Sequence, residues 1–293
     1  MHAPRLQIPR DATHEAHVIA GDDNAVRDYA RWLGDQKHPL GELVAADLAA
    51  ELEPPRQRKA KKHAKACFEA YRRDVLSKAF PLLAQHMTHF LDGQYYASLR
   101  YGFVEKLDTF RLNKPAERDE ALALLADPHG MFVRHVALRN AAFDTFDRFA
   151  SLRGLRRLNF RWTDISKVDS LAPLAELGQL RALNINGSKV SDLSPLAGLP
   201  LIQLYCSKTE VVDLSPLAGH PTLSHIALDA TKVQDIGPLL ECPKLCRVEL
   251  WDTPLPDTQL RALARYLDEA ANEPVNDDAL LDGYERYLSH RDI

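Results

Sequence analysis

The sequence predicts an α/β solenoid, with short parallel strands on a concave face, preceded by an all-helical N-terminal domain and closed by a C-terminal helical cap. Three observations predict it. One apolar pattern returns six times, in one phase, between Val133 and Leu255. The residues ahead of it carry helical stripes, and an amphipathic stretch follows its last copy. The expected segments are 1–22, disordered; 23–130, a helical capping domain; 131–258, the solenoid; and 259–293, the C-terminal cap.

Residues 1–22 hold no apolar run long enough for a signal peptide and read as unstructured. In DNAVRDYARWLGD, Val26, Tyr29, Ala30 and Leu33 fall along one helical stripe. GELVAADLAAELEP repeats the stripe with Leu43, Ala46, Leu48 and Leu52. It stops ahead of Pro54-Pro55, because a residue before proline is pushed out of the helical region. A long basic helix follows, and PLLAQHMTHFL from Pro81 reads as one more helix.

The repeat begins weakly with VRHVALRNAAF at Val133. It continues with LRRLNFRWTDI at Leu155, LRALNINGSKV at Leu180, LIQLYCSKTEV at Leu201, LSHIALDATKV at Leu223 and LCRVELWDTPL at Leu245. These starts are 22, 25, 21, 22 and 22 residues apart. Within LRALNI, Leu183 and Ile185 stand two apart, on one face of a short strand. Val190, Leu193, Leu196 and Leu199 fill the return of the chain. No single coil buries these residues alone, so stability comes from neighbouring coils. Ser194-Pro195, Ser215-Pro216 and Gly237-Pro238 occupy equivalent places, where Ser before Pro suits an N-cap and the first residue of a helical turn. One short helical or 3₁₀ turn per coil is expected on the convex side. Thr163, Ser188, Thr209, Thr231 and Thr253 form a further column, whose hydroxyls suit bonds to the backbone where the strand bends away. After the last copy, PDTQLRALARYLDEA places Leu260, Ala264 and Leu267 at helical spacing. The tail from Ala271 suggests a second small helix.

The L-x-x-L-x-L pattern over residues 131–260 resembles the leucine-rich repeat. Its short period and D-L-S-P-L-A tail resemble the internalin-like bacterial subclass. Tyr29-Ala30-Arg31-Trp32-Leu33-Gly34-Asp35, with Pro39 and Gly41-Glu42-Leu43, resembles the repeat-companion domain of bacterial leucine-rich-repeat proteins. Arg31 stands where that family has Asp, and Lys37-His38 replaces its Gly-Asp. The resemblance covers about residues 22–135 and implies a helical domain capping the first coil. It also implies that GFVEKLDTFRL is an irregular first strand.

The chemistry is that of a binding protein. The net charge of -4 gives no global pull toward nucleic acid. Four cysteines without metal-ligand spacing read as reduced thiols of a cytoplasmic protein, and no segment is apolar enough to span a membrane. No P-loop, G-x-S-x-G or H-E-x-x-H motif occurs. No catalytic residue, metal or cofactor is therefore expected. Cys67, among Lys61, Lys62, Lys65, Arg72 and Arg73, reads as a helix cysteine whose positive neighbours could activate it.

The expected partner is a protein on the concave face, across Arg157, Asn159, Arg161, Trp162, Asn184, Asn186, Tyr205, His225, Asp229, Arg247, Glu249 and Trp251. Tyr, Trp and Arg are the types enriched in binding hot spots. Basic residues in early coils and acidic ones in late coils predict a bipolar face. The alternatives are an inhibitor or immunity factor for a toxin or enzyme, and nucleic-acid binding through the basic 56–73 helix, where Arg56, Arg58, Lys59, Lys61, Lys62 and Lys65 could meet phosphates.

Overall fold

The structure is a computed structural model that describes residues 8–9, 11–20, 23–52, 57–89, 97–100, 103–109, 112 and 114–270. The six apolar copies are six coils, each contributing one strand: β4 (His135–Ala137), β5 (Arg157–Asn159), β6 (Ala182–Asn184), β7 (Gln203–Tyr205), β8 (His225–Ala227) and β9 (Arg247–Glu249). They pair in parallel and in register, so Leu158, Leu183, Leu204, Ile226 and Val248 form one row. The first four of these are no more than 2 % exposed. Main-chain donors extend the ladder past β4, β6, β7 and β8: Leu138 N–H to Asn159, Ile185 to Tyr205, Cys206 to Ala227 and Leu228 to Glu249, at 2.8–2.9 Å. The fold is an α/β solenoid of leucine-rich repeats.

The return stroke is built as expected, with one change of residue. 3₁₀ turns lie at Asp147–Phe149, Ala172–Leu174, Ser194–Leu196, Ser215–Leu217 and Gly237–Glu241. The serines sit inside these turns and do not cap them. The cap comes from two residues earlier, where Asp192, Asp213 and Asp235 accept the N–H of Ser194, Ser215 and Gly237 at 2.8 Å. Ser170 does the same for Ala172 at 3.2 Å. A short carboxylate or hydroxyl reaches the N–H two places on, which the serine's own side chain cannot do for its own amide. Four hydroxyls of the Thr column donate to carbonyls: Thr163 to Leu138, Thr209 to Cys206, and Thr231 and Thr253 to Leu228. The buried Ser188 hydroxyl has no partner among the described residues.

Another column was not anticipated. Seven residues after each copy begins, the backbone turns left-handed: Asn140, Trp162, Gly187, Lys208, Ala230 and Asp252 have φ between +52° and +80°. This turn takes the chain out of the strand. Gly adopts it without crowding its Cβ and Asn and Asp tolerate it, while other residue types cost about 1–2 kcal/mol.

The N-terminal region departs from the all-helical expectation. Helices α1 (Ala12–Ala20), α2 (Asp23–Asp35), α3 (Pro39–Leu52) and α4 (Gln57–Tyr71) come first. A π turn at Arg72–Leu76 and a short α5 (Ser77–Ala79) continue α4. Helix α1 falls inside the segment expected to be disordered. Asp11 accepts the His14 N–H at 2.9 Å, Val18 is buried, and the His14 ring stacks on Trp32, so even this short helix has a cap and a packed face. The helix expected over PLLAQHMTHFL does not form in its described part, residues 81–89, which holds a 3₁₀ turn at Ala84–His86 and then a strand. Glu120 of α6 (Pro115–Leu125) accepts the N–H groups of Leu82 and Leu83. Met87–His89 then becomes β1, paired with β2 (Ala97–Arg100). Strand β3 (Phe103–Asp108) runs antiparallel to β2 and parallel to β4. One nine-stranded sheet therefore runs from β1 to β9 across the boundary expected at residue 130. The segment that the companion-domain resemblance implies to be an irregular first strand carries β3, which is the third strand of the sheet and pairs irregularly with β2, and Tyr29, Phe103 and Phe132 pack ring against ring there.

Helix α7 (Asp257–Ala270) covers the last coil. Its inner stripe is Leu263, Tyr266 and Leu267, while Leu260 is 42 % exposed and Ala264 also faces solvent. The stripe is rotated because Gln259 must face the coil, where its carbonyl accepts the Ile236 N–H at 2.7 Å, and because the Tyr266 hydroxyl donates to the Cys242 carbonyl. The second helix expected beyond Ala271 lies outside the described residues.

Candidate functional site

The twelve candidate residues fall into two groups. Arg157, Asn159, Asn184, Tyr205, His225, Arg247 and Glu249 lie within strands, alternating with the buried row, and so face the concave side. The register makes two rows. One reads Lys106, His135, Arg157, Ala182, Gln203, His225 and Arg247; the other reads Asp108, Ala137, Asn159, Asn184, Tyr205, Ala227 and Glu249. Arg161, Trp162, Asn186, Asp229 and Trp251 lie beyond the strand ends, along the left-handed turns. The site is thus a strand face plus one adjoining edge.

Several candidates hold the fold together. The Asn159 and Asn184 side-chain carbonyls accept the N–H of Arg161 and Asn186. Asn186 accepts the Ser207 N–H at 2.8 Å, and Asp229 accepts that of Trp251 at 2.7 Å, both in the next coil. These short polar groups satisfy turn amides that the ladder leaves over. By contrast, Trp162 is 68 % exposed and Trp251 75 % exposed. The Arg161 guanidinium sits 5.4 Å from the Trp162 ring centre, a cation–π distance.

The charge pattern is bipolar only in part. At the late end, Arg247 pairs with Glu249 at 2.7 Å, which offsets the acidic side chains there. At the early end, burial together with the charges of Arg157, Lys106, Arg156 and Arg134 pushes the His135 pKa down to about 3. Burial also lowers the Lys106 ammonium, and Arg157 adds to that while Asp108 opposes it. Basic side chains thus gather at this end, with Glu105 and Asp108 beside Lys106 and Asp108 within 3.7 Å of Arg139. Lys106 could not be placed in this row from the repeat, because β3 precedes the first recognisable copy.

Sequence reasoning also missed two buried pairings. Asp47 of α3 meets His89 of β1 at 2.8 Å, with both side chains 1 % exposed. The Tyr71 hydroxyl meets His129 at 2.8 Å, and His129 meets Asp127 at 2.6 Å. Cys67 is not activated: burial raises its thiol pKa, and Glu42 and Asp47 raise it further. On α4, Arg58, Lys59, Lys62 and Lys65 are exposed and Lys61 is half-buried. Arg56 lies outside the described residues. No helix among the described residues is long and apolar enough to cross a membrane.

No family model matches the chain, and no curated protein matches it. Among solved structures it is similar to internalin C2 of Listeria monocytogenes, with 29 % identity over 43 % of this chain and 54 % of that one, at a TM-score of 0.39. It is also similar to the internalin InlF of the same species, with 24 % identity over 46 % of this chain and 39 % of that one, at a TM-score of 0.41. The functional domain of InlJ from Listeria monocytogenes matches 42 % of this chain and 26 % of its own length at 20 % identity, with a TM-score of 0.34. The chain spans about half or less of the length of the structures it matches. The assignment of the fold rests on the strand register described above.

Proposed function

We propose that the chain is a non-enzymatic protein-interaction module that holds a protein partner on the concave strand face and along the tryptophan edge beside it. Its four cysteines, none of them in a disulfide, suit a reducing, cytoplasmic setting. The observation that carries the reading is the pair Trp162 and Trp251, exposed at either side of the span from β5 to β9. Four strand spacings separate their coils, roughly 19 Å. Neither ring is needed for the core. Trp162 also occupies a left-handed position that Gly would fill without strain. Large rings in such places are what hot-spot anchors look like before a partner covers them. The basic side chains of the early coils favour a partner that presents acidic side chains there.

Trp162→Ala and Trp251→Ala are each expected to lower partner affinity about fivefold or more, at ~1 kcal/mol or above per anchor. The measurement is capture of a protein from the native host on immobilised chain, followed by titration of that protein against wild type and both variants. A captured partner bound equally well by the double variant contradicts the reading. If the partner is an enzyme, its turnover in the presence of the chain separates an inhibitor from an adaptor.

A further inference from the structure

The packed pair α3 and α4 carries a side-chain cluster that the interaction reading does not use. His63 and Cys67 are one helical turn apart on α4, so their side chains emerge on the same face. Cys67 Sγ lies 3.7 Å from His63 Nε2 and 3.9 Å from Nδ1. Glu42 projects from the facing helix α3, and one donor atom from each of the three residues lies within 4.8 Å of the others. All three line a surface cavity of about 400 Å³, together with Leu43, Ala66 and Val75.

We propose that Glu42, His63 and Cys67 form a zinc site, with the fourth coordination position open to this cavity. The distances support it. Zinc–sulfur and zinc–nitrogen bonds of about 2.3 and 2.0 Å at a tetrahedral angle put the two ligand atoms about 3.5 Å apart, close to the 3.7 Å separation here. His63 is exposed, so its ring has room to aim one nitrogen at the ion, and the exposed Glu42 chain closes the remaining gap. The donors favour this metal. A thiolate and an imidazole select a borderline-soft ion over magnesium or calcium, and a thiolate with a carboxylate balances two positive charges. A coordinating metal deprotonates the thiol outright. In that step the thiol loses its proton to solvent as the sulfur–zinc bond forms, with no change of oxidation state. Three protein ligands and an open position match sites that hold a water or a further ligand, not the closed four-ligand structural type.

The test is titration of the full chain with Co²⁺, read by absorbance, followed by displacement with Zn²⁺. One equivalent of cobalt should give a thiolate charge-transfer band, and zinc should abolish it. Cys67→Ser should remove the band while circular dichroism stays unchanged. His63→Ala and Glu42→Gln should each weaken zinc binding at least about tenfold, since losing even a supporting group costs ~10–100-fold. Cys246→Ser, at the other surface thiol, should leave binding as it was. A missing thiolate band, a band that survives Cys67→Ser, or one lost with Cys246→Ser overturns the proposal.

Discussion

Leu204→Ala is expected to destabilise the protein by about 2–5 kcal/mol, the range for emptying a buried leucine site. Leu204 has no exposure and stands in register between Leu183 on one side and Ile226 on the other. In a stack stabilised by neighbour-to-neighbour contacts, the void weakens two interfaces at once. Collapse to fill it is opposed because both neighbours are pinned by the strand ladder. Against a total stability of roughly 5–15 kcal/mol, this is a large fraction. It should appear as a lower urea midpoint with the slope unchanged. Leu260→Ala gives the contrast, because Leu260 is 42 % exposed on the outer face of α7 and should change stability by no more than about 0.5 kcal/mol.

His89→Ala is the second substitution with a large expected effect, about 3–5 kcal/mol. His89 and Asp47 meet at 2.8 Å in a place where water does not reach, and Phe68 packs edge-on against the imidazole. Removing His89 leaves the Asp47 carboxyl buried without this partner. The Asp47→Ala/His89→Ala double variant should therefore cost clearly less than the two single variants added together, which equilibrium unfolding of all four proteins would measure. Simple additivity would mean that the pair does not join α3 to the first strand of the sheet.

The solenoid was legible in the sequence because each coil repeats one demand: two inward residues two apart, then a filled return. Leu183 and Ile185 announce β6 without help from any distant residue. The Asp47–His89 pair was not legible, since its members lie 42 residues apart and neither belongs to a period. The same holds for β1. Its three residues, Met87 to His89, lie in a short mixed stretch with no clear period of its own, and pairing with β2 decides the matter. In the site, Trp162 and Trp251 were readable as large groups that folding does not require. Asn159, Asn184, Asn186 and Asp229 were not readable as supports, because a small polar residue facing a groove and one bonding a neighbouring turn amide look alike in sequence. Asp192, Asp213 and Asp235 carry a signal that could have been found. An acidic residue two places before each Ser-Pro or Gly-Pro is itself periodic, and its short side chain reaches the amide that the serine does not cap.

The coils stack into one parallel sheet continuous with the N-terminal strands, leaving the opposite strand face open. Native-state hydrogen exchange tests it most directly at the amides of Leu138, Ile185, Cys206 and Leu228, each of which donates to a carbonyl of the following coil. The structure predicts strong protection at all four, with opening free energies near that of global unfolding. Exchange at these amides as fast as in an unfolded chain would contradict it.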